Sequence, residues 1–172
     1  MKNKKSLSTV IATVLLILLA VVLVGVVWAS ITKIINDSRN RSESCFDLQE
    51  KVTLNAFYTC YNQTSKELMF SINIADKDVE RALVSITVEG TSKSVELLAS
   101  GSTFSNVRPY GGNYGANTTL PEKNAGLSYY YNLTASGFSG TISPTMIRIA
   151  PIIGGNQCDV TDTISEISAC TS

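Results

Sequence analysis

Lys4-Lys5-Ser6-Leu7-Ser8-Thr9-Val10-Ile11-Ala12-Thr13-Val14-Leu15-Leu16-Ile17 opens a run that stays apolar through Val27 and Trp28. Between Lys5 and Lys33 lie 27 positions without a charge. A membrane-spanning helix needs roughly 20 such residues. A helix lying on a soluble core would show a polar face at 3.6-residue spacing, whereas this run is apolar on every side. Its natural solvent is lipid, or a bundle of helices like itself. The remainder of the chain is what such a helix carries.

Lys2, Lys4 and Lys5 precede the run, and the positive-inside bias keeps them in the cytoplasm while the chain beyond is exported. A secretory signal has an apolar core of about 7–15 residues before its cleavage site, so this run is too long for one. Lys-Lys-Ser-Leu-Ser-Thr-Val-Ile-Ala-Thr-Val-Leu-Leu-Ile resembles the start of an archaeal type IV pilin precursor, with its class III signal peptide. The resemblance implies cleavage between Ser6 and Leu7 by a prepilin peptidase. It implies a leader over residues 1–6 and a hydrophobic helix or stalk over 7–42 that stays on the mature protein. It also implies residence in the membrane as a precursor, handling by a membrane assembly machinery, and a filament built from other copies of the same chain. Ser6 stands where that family usually has Gly or Ala, and Thr9 where it often has Pro. Ile11 replaces the Glu common in bacterial type IV pilins, and the Gly-Ile-Gly-Thr pattern of archaeal flagellins is missing. The same run also reads as an uncleaved single-span anchor for a cell-surface binding module.

The 172 residues leave room for one ordinary domain beyond the helix. The leader holds three of the 14 basic residues, so a chain starting at Leu7 has 11 basic against 14 acidic. No basic patch suggests a nucleic-acid partner. Sparse charge, 16% of residues, with plentiful Ser, Thr, Asn and Gly, suits an exported β-rich surface.

Past Trp28 the apolar residues Ile31, Ile34 and Ile35 recur on one side only, which continues the helix, now amphipathic, to about Ser42. From Val52 the period changes to two. Strands are predicted at Val52–Cys60, at Leu68–Ile74, and at Leu83–Glu89 with Val84, Ile86 and Val88 on one face. A shorter one follows at Ser94–Leu98, and short polar turns between the four predict an antiparallel meander. Residues Ala99–Gly126 have no periodicity and many turn formers, including Pro109-Tyr110-Gly111-Gly112-Asn113-Tyr114. Loops this long tend to be functional or disordered. Tyr110 and Tyr114 would stack on a sugar in a functional loop, and pack on the loop's own tyrosines or a neighbouring subunit in a plain surface one. Strands resume at Leu127–Ala135 and Thr145–Ala150, where Pro151 is expected to end or kink the strand at an edge. A last strand is predicted at Asp162–Cys170. The expected fold is therefore α+β: a long N-terminal hydrophobic helix, then an all-β antiparallel sandwich over residues 43–172 with seven to eight strands.

Asn-x-Ser/Thr sequons occur at Asn36, Asn40, Asn62, Asn117 and Asn132. They are glycosylation candidates wherever the position is exposed, and Asn62 and Asn117 lie in predicted turns or loops.

Four cysteines in an exported domain predict two disulfides. Cys45–Cys60 must close around a strand about 26 Å long at 3.3 Å per residue, while bonded cysteines need Cα atoms about 4.4–6.8 Å apart. Cys158–Cys170 meets the same obstacle. The expected arrangement sets the first and last strands side by side and antiparallel, linking Cys45 to Cys170 and Cys60 to Cys158.

The chain has no histidine, so acid–base or triad chemistry would fall to lysine, carboxylates or tyrosine. Asp76, Asp78 and Glu80 lack the spacing of a calcium-binding loop, and the cysteines lack CxxC spacing. No phosphate-cradling loop is present. These absences point away from an enzyme, a resident metal or a cofactor and toward a structural subunit.

Overall fold

The computed structural model describes residues 4–46, 48–139 and 143–170 and, within the helix, the side chains of 11–36 and of Cys45. The chain divides into two units, Met1–Ser42 and Glu43–Ser172. The fold is α+β. Helix α1 runs over Lys4–Phe46, about 65 Å at 1.5 Å per residue. Its last turn belongs to the second unit. There Leu48 is buried and donates its N–H to the Cys45 carbonyl at 3.2 Å, and Glu50 turns the chain with φ 70° toward the first strand.

The second unit is built from β1 (Val52–Leu54), β2 (Cys60–Asn62), β3 (Glu67–Ile74), β4 (Arg81–Val88), β5 (Thr91–Leu98), β6 (Ser102–Thr103), β7 (Val107–Pro109), β8 (Asn117–Thr118), β9 (Ala125–Asn132), β10 (Pro144–Ile153), β11 (Asn156–Gln157), β12 (Asp162–Ile164) and β13 (Ser168–Ala169). The first sheet has the order β13-β2-β3-β9-β7, with β1 also on β3. The second is β11-β10-β4-β5, with β12 also on β10, and β6 pairs with β8 apart from both. Every pair of these strands is antiparallel except β13 with β2.

Alternation sets which residues meet between the sheets. Leu68, Phe70 and Ile72 of β3 with Tyr129 and Tyr131 of β9 face Val84 and Ile86 of β4, Leu97 of β5, and Ile147 and Ile149 of β10 in one buried cluster. Phe70 stacks on Tyr129 with ring centroids 5.3 Å apart. Two contacts close one open side of the sandwich. The Asp162 carboxylate accepts from the Leu54 N–H at 2.8 Å, and the Thr161 hydroxyl donates to the Val52 carbonyl at 2.8 Å. On the β5 edge Lys93 turns inward, donates to the Ser136 carbonyl at 2.6 Å and lies over the Phe138 ring. A charge pointing in from an edge discourages pairing with another chain.

Several expectations need correcting. The described residues hold thirteen strands rather than seven or eight. Val52–Cys60 is not one strand. Asn55 caps a 3-10 turn over Ala56–Tyr58 by accepting from the Phe57 N–H at 3.0 Å. Five residues, 55–59, lie opposite two, 70–71, where the register jumps between Leu54↔Ile72 and Cys60↔Met69. An Asn side chain that bonds local backbone competes with the strand ladder, which period-two counting does not register. The expected four-strand meander is divided, because β3 belongs to the first sheet and β4 to the second. Pro151 neither ends nor kinks its strand at an edge. β10 continues to Ile153 between two neighbours, and the Pro151 carbonyl accepts from Cys158 at 2.9 Å. In an extended strand the nitrogen faces the same side as the carbonyl, so the missing N–H is not taken from the β4 ladder.

The cysteine pairing is also corrected. Two disulfides form, and neither joins sequence neighbours, but the pairs are Cys45–Cys158 and Cys60–Cys170, with Cα atoms 5.4 and 4.9 Å apart. The predicted links Cys45–Cys170 and Cys60–Cys158 assumed one antiparallel final strand. That segment splits instead: β12 joins the second sheet, and β13 crosses to run parallel with β2, Ser168 opposite Cys60. Running parallel, it delivers Cys170 beside Cys60, with the Cys170 N–H on the Tyr61 carbonyl at 3.0 Å.

Candidate functional site

The first functional element is the helix itself. Ile11–Asn36 is a span of 26 residues whose most apolar 18-residue stretch has mean hydropathy 3.0, and none of the span is buried. It is long and apolar enough to cross a membrane. Two of its hydroxyls are turned onto the backbone: Ser30 donates to the Val26 carbonyl at 2.9 Å, and Thr32 to the Trp28 carbonyl at 2.8 Å. A hydroxyl satisfied within its own helix can enter an apolar medium without an unpaired donor. The expected cleavage pair Ser6 and Leu7 lies within the backbone of α1, with side chains outside the described residues, as is Asn40's.

The second element is the outer face of the first sheet. Because Tyr61, Leu68, Phe70, Tyr129 and Val107 point inward, their neighbours point out. Register then sets Asn62, Glu67 and Asn132 in one row, and Cys60, Met69, Tyr130 and Arg108 in the next. Arg108 is the centre of this face. Its guanidinium lies 4.0 Å over the Tyr130 ring and 5.4 Å over the Tyr114 ring, 3.4 Å from the Glu67 carboxylate, and Nη1 donates to the Gly112 carbonyl at 3.2 Å. The Tyr114 hydroxyl donates to the same carboxylate. Gly112 makes this possible, since a Cβ there would meet Pro109 Cγ at 2.8 Å. The tight turn at 109–112 also lays Tyr110 on Tyr130, centroids 5.9 Å apart and planes 17° from parallel.

Beside this platform runs an open groove of about 760 Å³. Tyr110, Tyr130, Met69, Ser128 and the residues of the 3-10 turn are among those that line it. Phe57 is 97% exposed, Tyr58 59% and Tyr110 68%. Three large aromatics left in water around one concavity make it the candidate recognition surface of the head. Among the described residues of the lining Glu67 is the only charged one, and its partners are within the protein.

Of the two loop tyrosines, only Tyr110 is available to a ligand. Tyr114 packs on Arg108 and Glu67, and the loop is held down elsewhere: Val107 and Thr118 are buried, and the Tyr129 hydroxyl donates to the Thr119 carbonyl at 2.7 Å. Phe57, Tyr58 and Tyr130 went unrecognised because strand periodicity absorbed them. Asn55 followed by two aromatics was the available signal for a capped, outward turn.

The sequons differ in setting. Asn36 and Asn62 are exposed, and Asn62 lies on the rim of the groove. Asn117 is exposed but packs its amide against Gly101, where a Cβ would meet Oδ1 at 2.3 Å. Asn132 is half-buried, and its Oδ1 accepts from the Ala135 N–H at 2.8 Å. Asp76, first of the acidic triplet, pairs with Lys51 at 2.9 Å, which lowers its pKa. Among the described residues no three His, Cys, Asp or Glu side chains gather as a metal site would require.

Burial, with the hydrogen bond to Glu67, pushes the Tyr114 phenol up to about 12, and burial raises Tyr61, Tyr129 and Tyr131 as well. For such groups the folded state holds the proton above pH 10, where the unfolded chain releases it. The stabilising contribution is complete below pH 10 and is lost as pH rises toward and through the folded values. Denaturant midpoints should therefore hold up to pH 10 and fall steadily above it. Tyr114→Phe should reduce that slope, and an unchanged slope would refute the role given to Tyr114.

No protein-family model, curated protein or solved structure matches the chain.

Proposed function

We propose that the protein is the subunit of an archaeal type IV pilus-like extracellular filament. The hydrophobic helix is the assembly element, and the disulfide-closed β-sandwich is the exposed head. The observation that carries this reading is the helix span Ile11–Asn36, apolar all round as far as Trp28 and unburied within its own chain. A side-chain surface of that size is hidden only by lipid or by identical helices, and a filament core supplies the second after the membrane has supplied the first. The precursor resides in the membrane, a prepilin peptidase removes residues 1–6, and the sandwich faces outward. The work of the protein is structural, in adhesion or as a surface appendage, and not enzymatic.

One observation favours a second reading, an uncleaved single-span cell-surface binding module: the aromatic groove is a recognition surface whether or not copies polymerise. The two separate on the N-terminus. Mass spectrometry of the protein from cells should find a chain beginning at Leu7. A chain that keeps Met1–Ser6 throughout the mature pool would reverse the ranking.

A further inference from the structure

We propose that the groove on the first sheet binds a saccharide carried by the protein itself, the glycan attached at Asn62. The inference rests on the head being exported, as in the reading above, but not on filament assembly. Asn62 is both the asparagine of the sequon Asn62-Gln63-Thr64 and a lining residue of the groove. Its Oδ1 accepts from the Thr64 N–H at 2.9 Å and the Ser65 N–H at 3.2 Å. Two backbone donors require the oxygen on that side and so fix the amide plane, with Nδ2 on the side away from the turn. That nitrogen is the atom a glycan uses, and the turn around it is exposed at Gln63, Thr64 and Ser65.

The groove suits what would follow. The face of a pyranose is a patch of C–H groups that packs on the negative face of an aromatic ring. Tyr110 offers such a face, stacked on Tyr130, which Arg108 supports from its other side. Tyr58 and Phe57 also line the groove, and Ser128 and Ser168 supply hydroxyls for those of the sugar. With Glu67 committed to Arg108 and Tyr114, the surface has no unpaired charge for an ionic ligand and fits a neutral, hydroxyl-rich one. Tyr130 lies two strands across and two residues along from Asn62, which is about 12 Å from strand spacing and rise. A chain of a few sugars covers that distance. Tethering decides the source of the ligand, because a saccharide attached at the rim has an effective concentration on the order of millimolar, which free sugar seldom reaches.

The test uses the full-length protein from its own cells. Peptide mass spectrometry reads occupancy at Asn62, and amide hydrogen exchange reads residues 57–60 and 110–112. Thr64→Ala removes the sequon and keeps Asn62 with its backbone bonds. It should raise exchange in both segments several-fold, while Thr119→Ala, which removes the Asn117 sequon, should leave them unchanged. Tyr110→Ala should retain the glycan and raise exchange at 57–60 to the same extent, and the double variant should add nothing further. An unmodified Asn62, or exchange indifferent to Thr64→Ala, overturns the proposal. Neither result touches the N-terminal processing on which the filament reading stands.

Discussion

Val22→Asp should abolish the filaments proposed above. Val22 sits near the middle of the Ile11–Asn36 span and is 64% exposed within its own chain. A lone carboxylate there costs about 2.5–3.5 kcal/mol on insertion scales. That is a factor of about a hundred in equilibrium, and a polymer incurs it at every subunit. Asn113→Asp adds the same charge with almost no change of shape in an exposed turn of the head and should assemble normally. Electron microscopy of cells expressing each variant, with membrane fractionation to confirm insertion, separates the outcomes. Normal filaments from Val22→Asp would reduce the helix to an anchor.

Replacing either cysteine pair by serine should remove a large share of the stability of the head. The closed loops span 113 residues for Cys45–Cys158 and 110 for Cys60–Cys170. Chain entropy for loops of that length is worth about 4.7 kcal/mol, and native bridges in small secreted domains give about 2–5. Total stabilities are only about 5–15 kcal/mol, so one loss brings the head close to unfolding at working temperature. Denaturant midpoints of the double variants Cys45→Ser/Cys158→Ser and Cys60→Ser/Cys170→Ser measure it. Non-reducing peptide maps of the parent should recover the same two pairs. Losses under about 1 kcal/mol would mean that the sandwich closes without them.

The sequence disclosed what depends on local alternation. Val84, Ile86 and Val88, Tyr129 and Tyr131, and Ile147 and Ile149 all face the core as their period predicts, because inside and outside residues differ chemically along one strand. It did not disclose which strand lies beside which. Cys60 finds Cys170 only because β13 runs parallel to β2, and nothing within Asp162–Cys170 states its neighbour. Pattern also failed where a side chain competed with the ladder, as Asn55 does. The same limit hid much of the groove. Glu67, Arg108 and Tyr130 come from separate strands and met only when the register was known, whereas Tyr110 stood out among its glycines. The apolar helix was legible at once, since its signal is its own composition.

The two bridges have a mechanical consequence. Between Cys45 and Cys170 the backbone alone would pay out about 430 Å when drawn straight, at about 3.4 Å per residue. The covalent path through Cys158 is far shorter, since only 12 residues separate that cysteine from Cys170. Drawn straight, this segment reaches about 40 Å. Tension applied between the foot of the head and Cys170 therefore runs through β12 and β13 alone, and the longer strands lie off the line of load. A head built this way can lengthen only to that short limit, whatever its other hydrogen bonds do.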